Sequence, residues 1–325
     1  MNNPTVITIL FWCIVGFVIL NLLVLVANWI IGPYFAYTLT LSRRKGKWGR
    51  GVPESKDDQS MRMYELGGEW HKEHADKKID VHIVRDGLNL YGEYYDFGYD
   101  RCAFILSGRT ESLTYGYFFA IPYAKNGYNI LVVDPRAHGL SDGKYNTVGF
   151  EESIDIAAWV DHIVQNFGVR SVVLHGICIG SAGGMLALTS GRCSDVVHGI
   201  VTEGMFANFY ESVRNHMIEQ GHPTFVTLPV MDIWMRVLTG HSMKFGPINV
   251  IDKLNVPLLM LHSREDLYST PEYAKKLYAK AGSEQKTLVW FDHGRHSMLR
   301  ITDTELYDKS ISEFLATLPS FETVK

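Results

Sequence analysis

The first 41 residues differ from the rest of the chain in their pattern of apolar and polar positions. A nearly unbroken apolar run of 26 residues extends from Val6 to Ile31, and no Asp, Glu, Lys or Arg occurs before Arg43. About 20 apolar residues allow a helix to cross the hydrocarbon core of a bilayer. A helix that is apolar on all sides also lacks the polar face that a surface helix turns toward water. The pattern predicts an N-terminal transmembrane anchor within residues 1–41.

Two alternatives account for such a run without a membrane span. A cleaved signal peptide would begin with a basic region, whereas this chain begins with the uncharged side chains MNNP. A buried core helix is the second alternative, although a helix this long and this uniformly apolar is more typical of a membrane span. Near the end of the run, Trp29, Tyr34 and Tyr37 resemble the aromatic belt found where a span leaves the bilayer.

A basic segment without a clear hydrophobic period follows the apolar run. Residues 42–75 are rich in charge and glycine, which predicts a juxtamembrane linker. Because positive charge tends to stay on the cytoplasmic side, the chain after the span is expected to be cytoplasmic. The alternative is a solvated linker that only touches anionic headgroups on that same side. The basic residues concerned are Arg43, Arg44, Lys45, Lys47 and Arg50.

Beyond residue 76 the pattern alternates between short β-branched runs and amphipathic stretches. Strands separated by helices predict an α/β fold with a mostly parallel central sheet flanked by helices. Helices are expected near 113–126, 149–167, 179–190, 271–281 and 303–317. The predicted strands are Asp80–Val84, Leu88–Tyr95, Cys102–Leu106, Tyr128–Val133, Ser171–Leu174, Gly199–Val201, Pro257–Leu261 and Thr287–Phe291.

One stretch interrupts this alternation. From Met205 to Ile251 the apolar and aromatic residues recur at helical spacing, and no strand pattern is present. Such an insertion between late strands predicts a helical lid over about 205–251. Its large apolar residues either line a substrate pocket or simply pack the lid onto the core, and the sequence leaves both alternatives open.

Composition and charge narrow the choice of ligands. The formal net charge is -4, and charged residues make up 20% of the chain, which gives no reason to expect nucleic acid. The four cysteines are scattered without CxxC spacing, so neither a metal site nor a disulfide framework is expected. No cofactor is predicted. Cys102 and Cys193 are expected to be buried structural thiols, because free cysteine is among the most buried residue types.

Candidate chemistry is concentrated where the strand at Ser171–Leu174 passes into a helical run. A nucleophile at a sharp strand-to-helix turn needs very small residues two positions before and after it, because the backbone packs closely there. Gly176 and Gly180 meet this requirement around Cys178. Ser181 is the rival nucleophile, but the residue two positions before it is Ile179. The spacing therefore favours Cys178.

A thiol at the N-terminus of a helix is chemically suited to this role. The positive end of the helix dipole and the free N–H groups favour thiolate formation, and a neighbouring imidazole favours it further. Two alternatives remain: Cys178 is an inert buried cysteine in a glycine-rich turn, or it marks a site that has lost an active serine.

Four segments in order resemble the α/β-hydrolase superfamily, and most closely its membrane-anchored bacterial esterase-like and lipase-like members. Residues 134–141 read DPRAHGLS and resemble the segment after the fourth strand of that fold; residues 176–180 read GICIG and resemble the nucleophile elbow. Residues 259–266 read LMLHSRED and resemble the strand that carries the acid. Residues 291–297 read FDHGRHS and resemble the histidine loop. The resemblance implies an α/β-hydrolase domain over residues 76–325.

The resemblance also implies the partners of Cys178. The order of nucleophile, acid and histidine is the order this fold uses, with Asp266 as the acid and His296 as the base. Glu265 and His293 are the competing residues, and both alternatives stay open at the level of sequence. The remaining candidates, His138, His175 and His262, flank strand ends and are expected to be structural.

An oxyanion hole is implied in the same way. The family uses the backbone N–H of the residue after the nucleophile, here Ile179, and one from the loop after the third strand, here Arg109. This chain has Ser107-Gly108 where many relatives have His-Gly, which is a departure. A cysteine nucleophile is a second departure from most of the family, although dienelactone hydrolases have a similar Cys-Asp-His arrangement.

These features predict a single-pass membrane hydrolase with a Cys-His-Asp triad and a thioester acyl-enzyme. The expected substrate is a small-molecule or lipid-like acyl compound with an ester, thioester or lactone bond, and the expected partner of the N-terminal helix is the lipid bilayer. Two alternatives remain, since a binding or scaffold protein and a peptidase share this fold.

Overall fold

We analysed a computed structural model of the chain, which describes residues 4–43, 48–50 and 57–319. The first element, helix α1, extends from Pro4 to Leu41. It is the one helix among the described residues that is long and apolar enough to cross a membrane, judged by its length and composition. The helix continues ten residues beyond the apolar run that predicted it.

The last part of α1 belongs to the folded domain. Pro33, Tyr37 and Leu41 are buried, and their spacing of four residues places them on one face of the helix. The aromatic-belt interpretation is therefore wrong for Tyr37, which packs inside the protein and is fully buried. Trp29 is about half exposed and still has access to lipid.

An eight-stranded sheet forms the centre of the domain. The strand order is β1-β2-β4-β3-β5-β6-β7-β8. Strand β2 runs antiparallel to β1 and β4, and the neighbours from β4 through β3 to β8 are parallel. The strands are β1 Lys78–Arg85, β2 Leu88–Tyr95, β3 Arg101–Leu106, β4 Asn129–Val133, β5 Ser171–Ile177, β6 Val197–Glu203, β7 Leu258–Ser263 and β8 Lys286–Phe291.

All eight predicted strands are confirmed, as is the mostly parallel α/β fold. The largest difference is at β6, which extends well beyond the predicted Gly199–Val201. Its ends carry His198, Thr202 and Glu203, polar residues that a hydrophobic pattern does not count as strand. Thr202 and Glu203 are nevertheless almost completely buried.

Helices cover both faces of the sheet, as predicted. One apolar cluster contains residues of α4, α5 and α8, and a second contains residues of α2, α3 and α10. These helices are α2 Asp58–Glu73, α3 Leu113–Lys125, α4 Phe150–Phe167, α5 Ile179–Thr189, α8 Pro271–Lys280 and α10 Thr304–Ala316, with the short helix α9 Leu299–Thr302 before α10.

Helix α2 lies within the segment that the sequence predicted to be a linker. Asp57 caps it by accepting a hydrogen bond from the Ser60 N–H, and Met63 and Trp70 are buried. Gly67 lets α2 approach α3 closely, because a Cβ there would lie 2.9 Å from the backbone nitrogen of Phe118. Helix α2 therefore forms part of the segment 42–75 that was predicted as a linker. Close packing at a glycine leaves no hydrophobic pattern in the sequence, and charged residues separate the apolar positions of this helix.

Two helices occupy the predicted lid segment between β6 and β7. They are α6 Phe209–Glu219 and α7 Thr227–Thr239, followed by 3₁₀ turns at Pro247–Asn249 and Ile251–Lys253. A third apolar cluster joins α6 and α7 to the end of α1 and to Ile179 at the start of α5. The role of this segment as a lid, and the domain boundaries at 41 and 75, stay predictions.

Candidate active site

The turn between β5 and α5 has the backbone geometry of a strained elbow. Cys178 sits there with φ 52° and ψ -111°, outside the regions that residues with a side chain prefer. A Cβ on Gly176 would lie under 3.0 Å from the backbone of Ser181, and one on Gly180 would do the same with the Leu106 carbonyl. Glycine is therefore sterically required on both sides of Cys178.

Ser181, the rival nucleophile, lies inside the protein. Its side chain is fully buried, and its hydroxyl donates to the Gly176 carbonyl at 2.6 Å. A second contact joins the hydroxyl to the Glu203 carbonyl at 3.3 Å. Ser181 therefore stabilises the elbow through hydrogen bonds to its backbone. Cys178, in contrast, is partly exposed and lines the cavity described below.

The two acids after β7 have different surroundings. Asp266 is buried, and its Oδ1 accepts hydrogen bonds from the backbone N–H groups of Tyr268 at 2.9 Å and Ser269 at 2.8 Å. Burial by itself raises the pKa of Asp266, but the charge of His296 and the hydrogen bonds from His296 and from the Ser269 N–H outweigh burial, so the pKa is lowered. Glu265 is exposed and pairs with His293 at 3.1 Å, away from Cys178.

His296 lies between the acid and the thiol. Its Nδ1 is 2.7 Å from Asp266 Oδ2, and its ring interacts with the side chain of Cys178, which lines the same cavity. Burial opposes protonation of the ring, but the interactions with Asp266 and Cys178 outweigh burial and raise the pKa of His296 well above its ordinary value. The structure thus brings Cys178, His296 and Asp266 together, and it leaves Glu265 and His293 paired with each other at the surface.

Both residues expected to form the oxyanion hole lie beside Cys178. Ile179 is buried at the first position of α5, where backbone N–H groups have no partner within the helix. The loop after β3 also touches the elbow, because a Cβ on Gly108 would lie 3.8 Å from Cys178 Cβ. The Arg109 carbonyl contacts His138 Nε2, and its guanidinium donates to the Thr40 carbonyl of α1 at 3.0 Å. The catalytic use of both N–H groups stays a prediction.

Sequence reasoning missed Glu203 at the end of β6. Its carbonyl accepts the Cys178 N–H at 2.9 Å, while its buried carboxyl accepts the Leu299 N–H at 3.1 Å and the Tyr307 hydroxyl at 2.6 Å. Burial raises the pKa of Glu203 to about 6 despite these hydrogen bonds. One residue therefore connects the elbow to the segment that follows His296. An acid directly after a buried strand was the available signal.

The histidines predicted to be structural are all buried. His138 stacks on Trp48, with ring centroids 4.3 Å apart, and His262 contacts the Ser269 carbonyl at 2.5 Å. His175 hydrogen-bonds with the Tyr307 hydroxyl at 3.0 Å, and burial lowers its pKa to about 3. His175 contacts Tyr307, which hydrogen-bonds to Glu203, and His262 contacts Ser269, which hydrogen-bonds to Asp266. Both histidines therefore help to position the acids of the site.

Of the two cysteines predicted to be buried and structural, Cys102 is fully buried, whereas Cys193 is partly exposed. Burial raises the pKa of both thiols, that of Cys193 to about 12. Among the described residues no group of three or more His, Cys, Asp or Glu side chains is arranged to hold a metal ion.

Cys178 and His296 open into a cavity of about 1130 Å³. One side is formed by the hydrolase core, including Tyr115, Tyr268 and the loop from Gly108 to Glu111. The opposite side combines α6 and α7 with the end of α1. Six residues of α1 line this side: Asn28, Gly32, Pro33, Ala36, Leu39 and Thr40. No feature of the sequence indicated that the predicted anchor contributes to the cavity.

Comparison with known proteins agrees with this fold. The model of the family "Serine aminopeptidase, S33" matches residues 248–304, which include Asp266 and His296 but not Cys178. The uncharacterised protein YqkD of Bacillus subtilis is 30% identical over 192 residues, and the lysophosphatidylserine lipase ABHD12 of Danio rerio is 22% identical over 163 residues. The matches cover 58% and 49% of this chain, and 62% and 41% of those two proteins.

Solved structures give the same result at the level of fold. The esterase Pf2001 of Pyrococcus furiosus superposes with a TM-score of 0.65 at 22% identity, over 77% of this chain and 94% of the esterase. The acylaminoacyl peptidase of Pyrococcus horikoshii superposes with a TM-score of 0.56 at 18% identity, over 76% of this chain and 43% of the peptidase. These structural similarities show that the chain has the α/β-hydrolase fold, as its ordered motifs predicted.

Proposed function

We propose that this protein is a membrane-anchored hydrolase that cleaves carboxylic ester, thioester or lactone bonds with Cys178 as its nucleophile. The observation that carries the proposal is the arrangement of Cys178 at the strained elbow, beside His296 in the same cavity, with the Nδ1 of His296 held by buried Asp266. A nucleophile, a base and a group that orients the base form the constellation that acyl transfer requires.

The first half-reaction forms an acyl-enzyme. The Cys178 thiolate attacks the carbonyl carbon, and the carbonyl oxygen becomes an oxyanion that accepts hydrogen bonds from the N–H groups of Ile179 and Arg109. When the carbon–oxygen bond of an ester breaks, the departing alkoxide takes the proton from His296, and a thioester to Cys178 remains. Each oxyanion donor is worth roughly 3 kcal/mol of barrier lowering.

The second half-reaction releases the acid. His296, now neutral, removes a proton from a water molecule, and the hydroxide attacks the thioester carbon. The carbon–sulfur bond breaks, the acid leaves, and Cys178 returns to its thiolate beside a protonated His296. Asp266 fixes the ring orientation and stabilises the positive charge in both halves, which is consistent with its buried carboxylate and lowered pKa.

Localisation is the second part of the proposal. We infer that α1 spans the membrane once and that the domain after it is cytoplasmic. The length and composition of α1 support the span, and the basic residues after it support the orientation. Arg44, Lys45 and Lys47 lie outside the described residues. Arg43 and Arg50 bond to the protein itself, to the Ser141 carbonyl at 2.5 Å and to Asp134 at 2.8 Å. Digestion of the domain by protease added outside intact cells would contradict the cytoplasmic orientation.

The chemistry is tested with purified full-length protein and a panel of p-nitrophenyl esters, acyl thioesters and an aminoacyl p-nitroanilide. We expect hydrolysis of esters or thioesters by the wild type and its loss in Cys178→Ala. Trapping with a slow ester should add the mass of the acyl group to the peptide that contains Cys178.

Three results would change the conclusion. Equal rates for wild type and Cys178→Ala would rule out Cys178 as the nucleophile. Turnover of the anilide alone would favour a peptidase. No turnover at all, together with alkylation of Cys178 by iodoacetamide no faster than that of a free model thiol, would favour a binding or scaffold role.

A further inference from the structure

Helix α1 has two surfaces with different surroundings along its length. The apolar residues from Val6 to Ile31 are mostly exposed in the structure, as expected of a segment covered by lipid. From about Ala27 onward the helix begins to contact the domain, and Pro33, Tyr37 and Leu41 are buried in it. The change from one surrounding to the other occurs within the same continuous helix.

Specific contacts hold this second part of α1 against the lid segment and the active-site loop. The Trp234 indole N–H of α7 donates to the Ile30 carbonyl at 3.0 Å, and the Tyr34 and Trp234 rings meet at 4.9 Å. At the end of the helix, the Thr40 carbonyl accepts from Arg109 at 3.0 Å. Arg109 belongs to the loop that lies beside Cys178. Helix α1 therefore contacts α7 at Ile30 and the loop beside Cys178 at Thr40.

Between these two contacts, α1 faces the cavity that contains Cys178 and His296. Gly32, Pro33, Ala36 and Leu39 form an apolar surface on this side, and Phe209, Val213, Met217 and Met231 add apolar side chains from the lid segment. The cavity volume of about 1130 Å³ exceeds the roughly 300–1,000 Å³ usual for small-ligand sites. The apolar part of this lining suits an acyl chain, and polar side chains such as Ser212, His216 and Gln220 line the same cavity beside it.

The outer face of α7 carries exposed apolar residues where it meets α1. Ile233 is 55% exposed and Val237 is 68% exposed, four residues apart on one face of the helix. Phe225, just before α7, is 80% exposed. Trp234, between these positions, contacts α1 at Ile30, the end of its apolar run. Trp234 is therefore next to the point where α1 would leave the bilayer, and exposed apolar side chains such as that of the adjacent Ile233 are favoured at that depth.

We propose that α1 is a wall of the substrate site as well as an anchor, and that an acyl lipid reaches Cys178 directly from the bilayer along the cavity face of α1. The acyl chain lies against Gly32, Ala36 and Leu39, and the ester or thioester group lies at Cys178. This proposal rests on the proposed function for its chemistry, but the route itself does not depend on turnover.

Two glycines of α1 provide a matched test. A Cβ at Gly32 or at Gly16 would have no atom within 4 Å, so a side chain fits at either position. Gly32 lines the cavity, whereas Gly16 lies in the exposed apolar stretch. Gly32→Phe should obstruct the route, and Gly16→Phe should add the same bulk to the same helix without obstructing it. Leu39→Gln is a second variant, which makes the wall polar without adding bulk.

The route is measured without catalysis by alkylation of Cys178. Full-length protein carrying Cys13→Ser, because Cys13 is exposed on α1, is placed in phosphatidylcholine vesicles. It is treated with N-hexadecyl iodoacetamide or with iodoacetamide, and adducts on the Cys178 peptide are followed by mass spectrometry. We expect Gly32→Phe and Leu39→Gln to lower the ratio of the hexadecyl rate to the iodoacetamide rate at least tenfold. Gly16→Phe should leave that ratio unchanged.

Turnover then separates the two proposals. The same variants are assayed with p-nitrophenyl palmitate in the vesicles and with p-nitrophenyl acetate in solution. If Gly32→Phe, Leu39→Gln and Gly16→Phe all keep the wild-type ratios in both experiments, the route along α1 is wrong even if esters are cleaved. If the labelling ratio changes as expected and no ester is cleaved by the wild type, the route stands and the proposed hydrolase function fails.

Discussion

The two sides of the active-site cavity are built on different principles. The side that carries Cys178, His296 and Asp266 is held by short backbone contacts, buried hydrogen bonds and two glycines that no other residue can replace. The opposite side, formed by α1, α6 and α7, is held mainly by apolar packing and carries exposed apolar residues. In the proposed function the first side positions the reacting groups, whereas the second contacts the acyl chain of the substrate. We expect mutations to have large, position-specific effects on the first side and graded effects on the second.

The largest expected effect comes from the buried acid. Asp266→Asn keeps the shape of the side chain but removes the charge that orients His296, so kcat/KM should fall by about 10³-fold to 10⁴-fold. Because the carboxylate also helps to raise the pKa of His296, the pKa of His296 should fall in this variant. Steady-state kinetics as a function of pH measures both changes.

The exposed neighbour is the control for that prediction. Glu265→Gln removes a charge of the same sign one residue away, at a position paired with His293 at the surface. Its kcat/KM should stay within about twofold of wild type, as is usual for surface substitutions. If the two variants lose activity equally, the acid has been assigned incorrectly.

A steric change in the elbow should have the next largest effect. A methyl group at Gly180 would collide with the Leu106 carbonyl, so Gly180→Ala should lower the free energy of unfolding by about 3 kcal/mol or more, through strain on the backbone. Gly68→Ala, in α2, has no atom within 4 Å of the new methyl group and should instead stabilise the protein by up to about 1 kcal/mol.

Denaturant unfolding of both glycine variants in detergent provides the measurement. Opposite signs are expected for the two substitutions, although both replace a helical glycine with alanine. Equal stability of Gly180→Ala and wild type would show that the elbow is looser than the structure implies.

The buried carboxyl behind the elbow should make stability depend on pH. The pKa of Glu203 is raised to about 6 from about 4.5 by burial. A raised pKa means that the folded state favours the protonated acid, so this contribution is complete below about pH 4.5 and is lost as the pH rises through 6. A shift of this size corresponds to about 2 kcal/mol.

Glu203→Gln removes this titration and keeps the shape of the side chain. Tyr307, which donates to Glu203, has His175 as an alternative partner at 3.0 Å. Thermal unfolding of wild type and variant between pH 4.5 and 8 should give curves that diverge above pH 5, with the wild type losing more stability. Parallel curves would contradict the raised pKa.

The smallest effect is expected on the membrane side. Trp234→Phe keeps an aromatic ring against Tyr34 but removes the hydrogen bond to the Ile30 carbonyl. A single neutral hydrogen bond contributes about 1 kcal/mol, so the stability of the domain should change by no more than that. Unfolding of the variant in detergent measures the change, and a loss of several kcal/mol would show that this side is as rigidly determined as the other.

The reacting side could be predicted from sequence because its constraints are local. Most of the eight strands contain a short apolar run, and the spacing of Gly176, Cys178 and Gly180 reflects the close backbone contacts around one turn. The choice between Asp266 and Glu265 rested on resemblance to a family, and the structure places only Asp266 against His296.

The remaining features depend on contacts between distant segments. Glu203 joins the elbow to Leu299 and Tyr307, which are about a hundred residues further along the chain. The hydrophobic periodicity of a sequence does not indicate a contact between segments so far apart. Helix α2 was missed because its close approach to α3 depends on Gly67.

The second role of α1 was missed for a related reason. The apolar run before Pro33 already accounts for the whole pattern as a membrane span. The sequence therefore does not reveal that Pro33, Tyr37 and Leu41, further along the same helix, pack against the domain. Hydrophobicity is the same whether the neighbour is lipid or protein, so sequence alone does not distinguish the two.

The continuity of α1 has a mechanical consequence. Its 38 residues form one helix, about 57 Å long at 1.5 Å per residue, without a break before the domain. With the proposed span in place, about 30 Å of that length lies in the hydrocarbon core. A thinner bilayer makes such a helix tilt. Because the domain packs against the last part of α1, it would tilt together with the helix. Bilayer thickness would then set the height of Cys178 relative to the membrane surface.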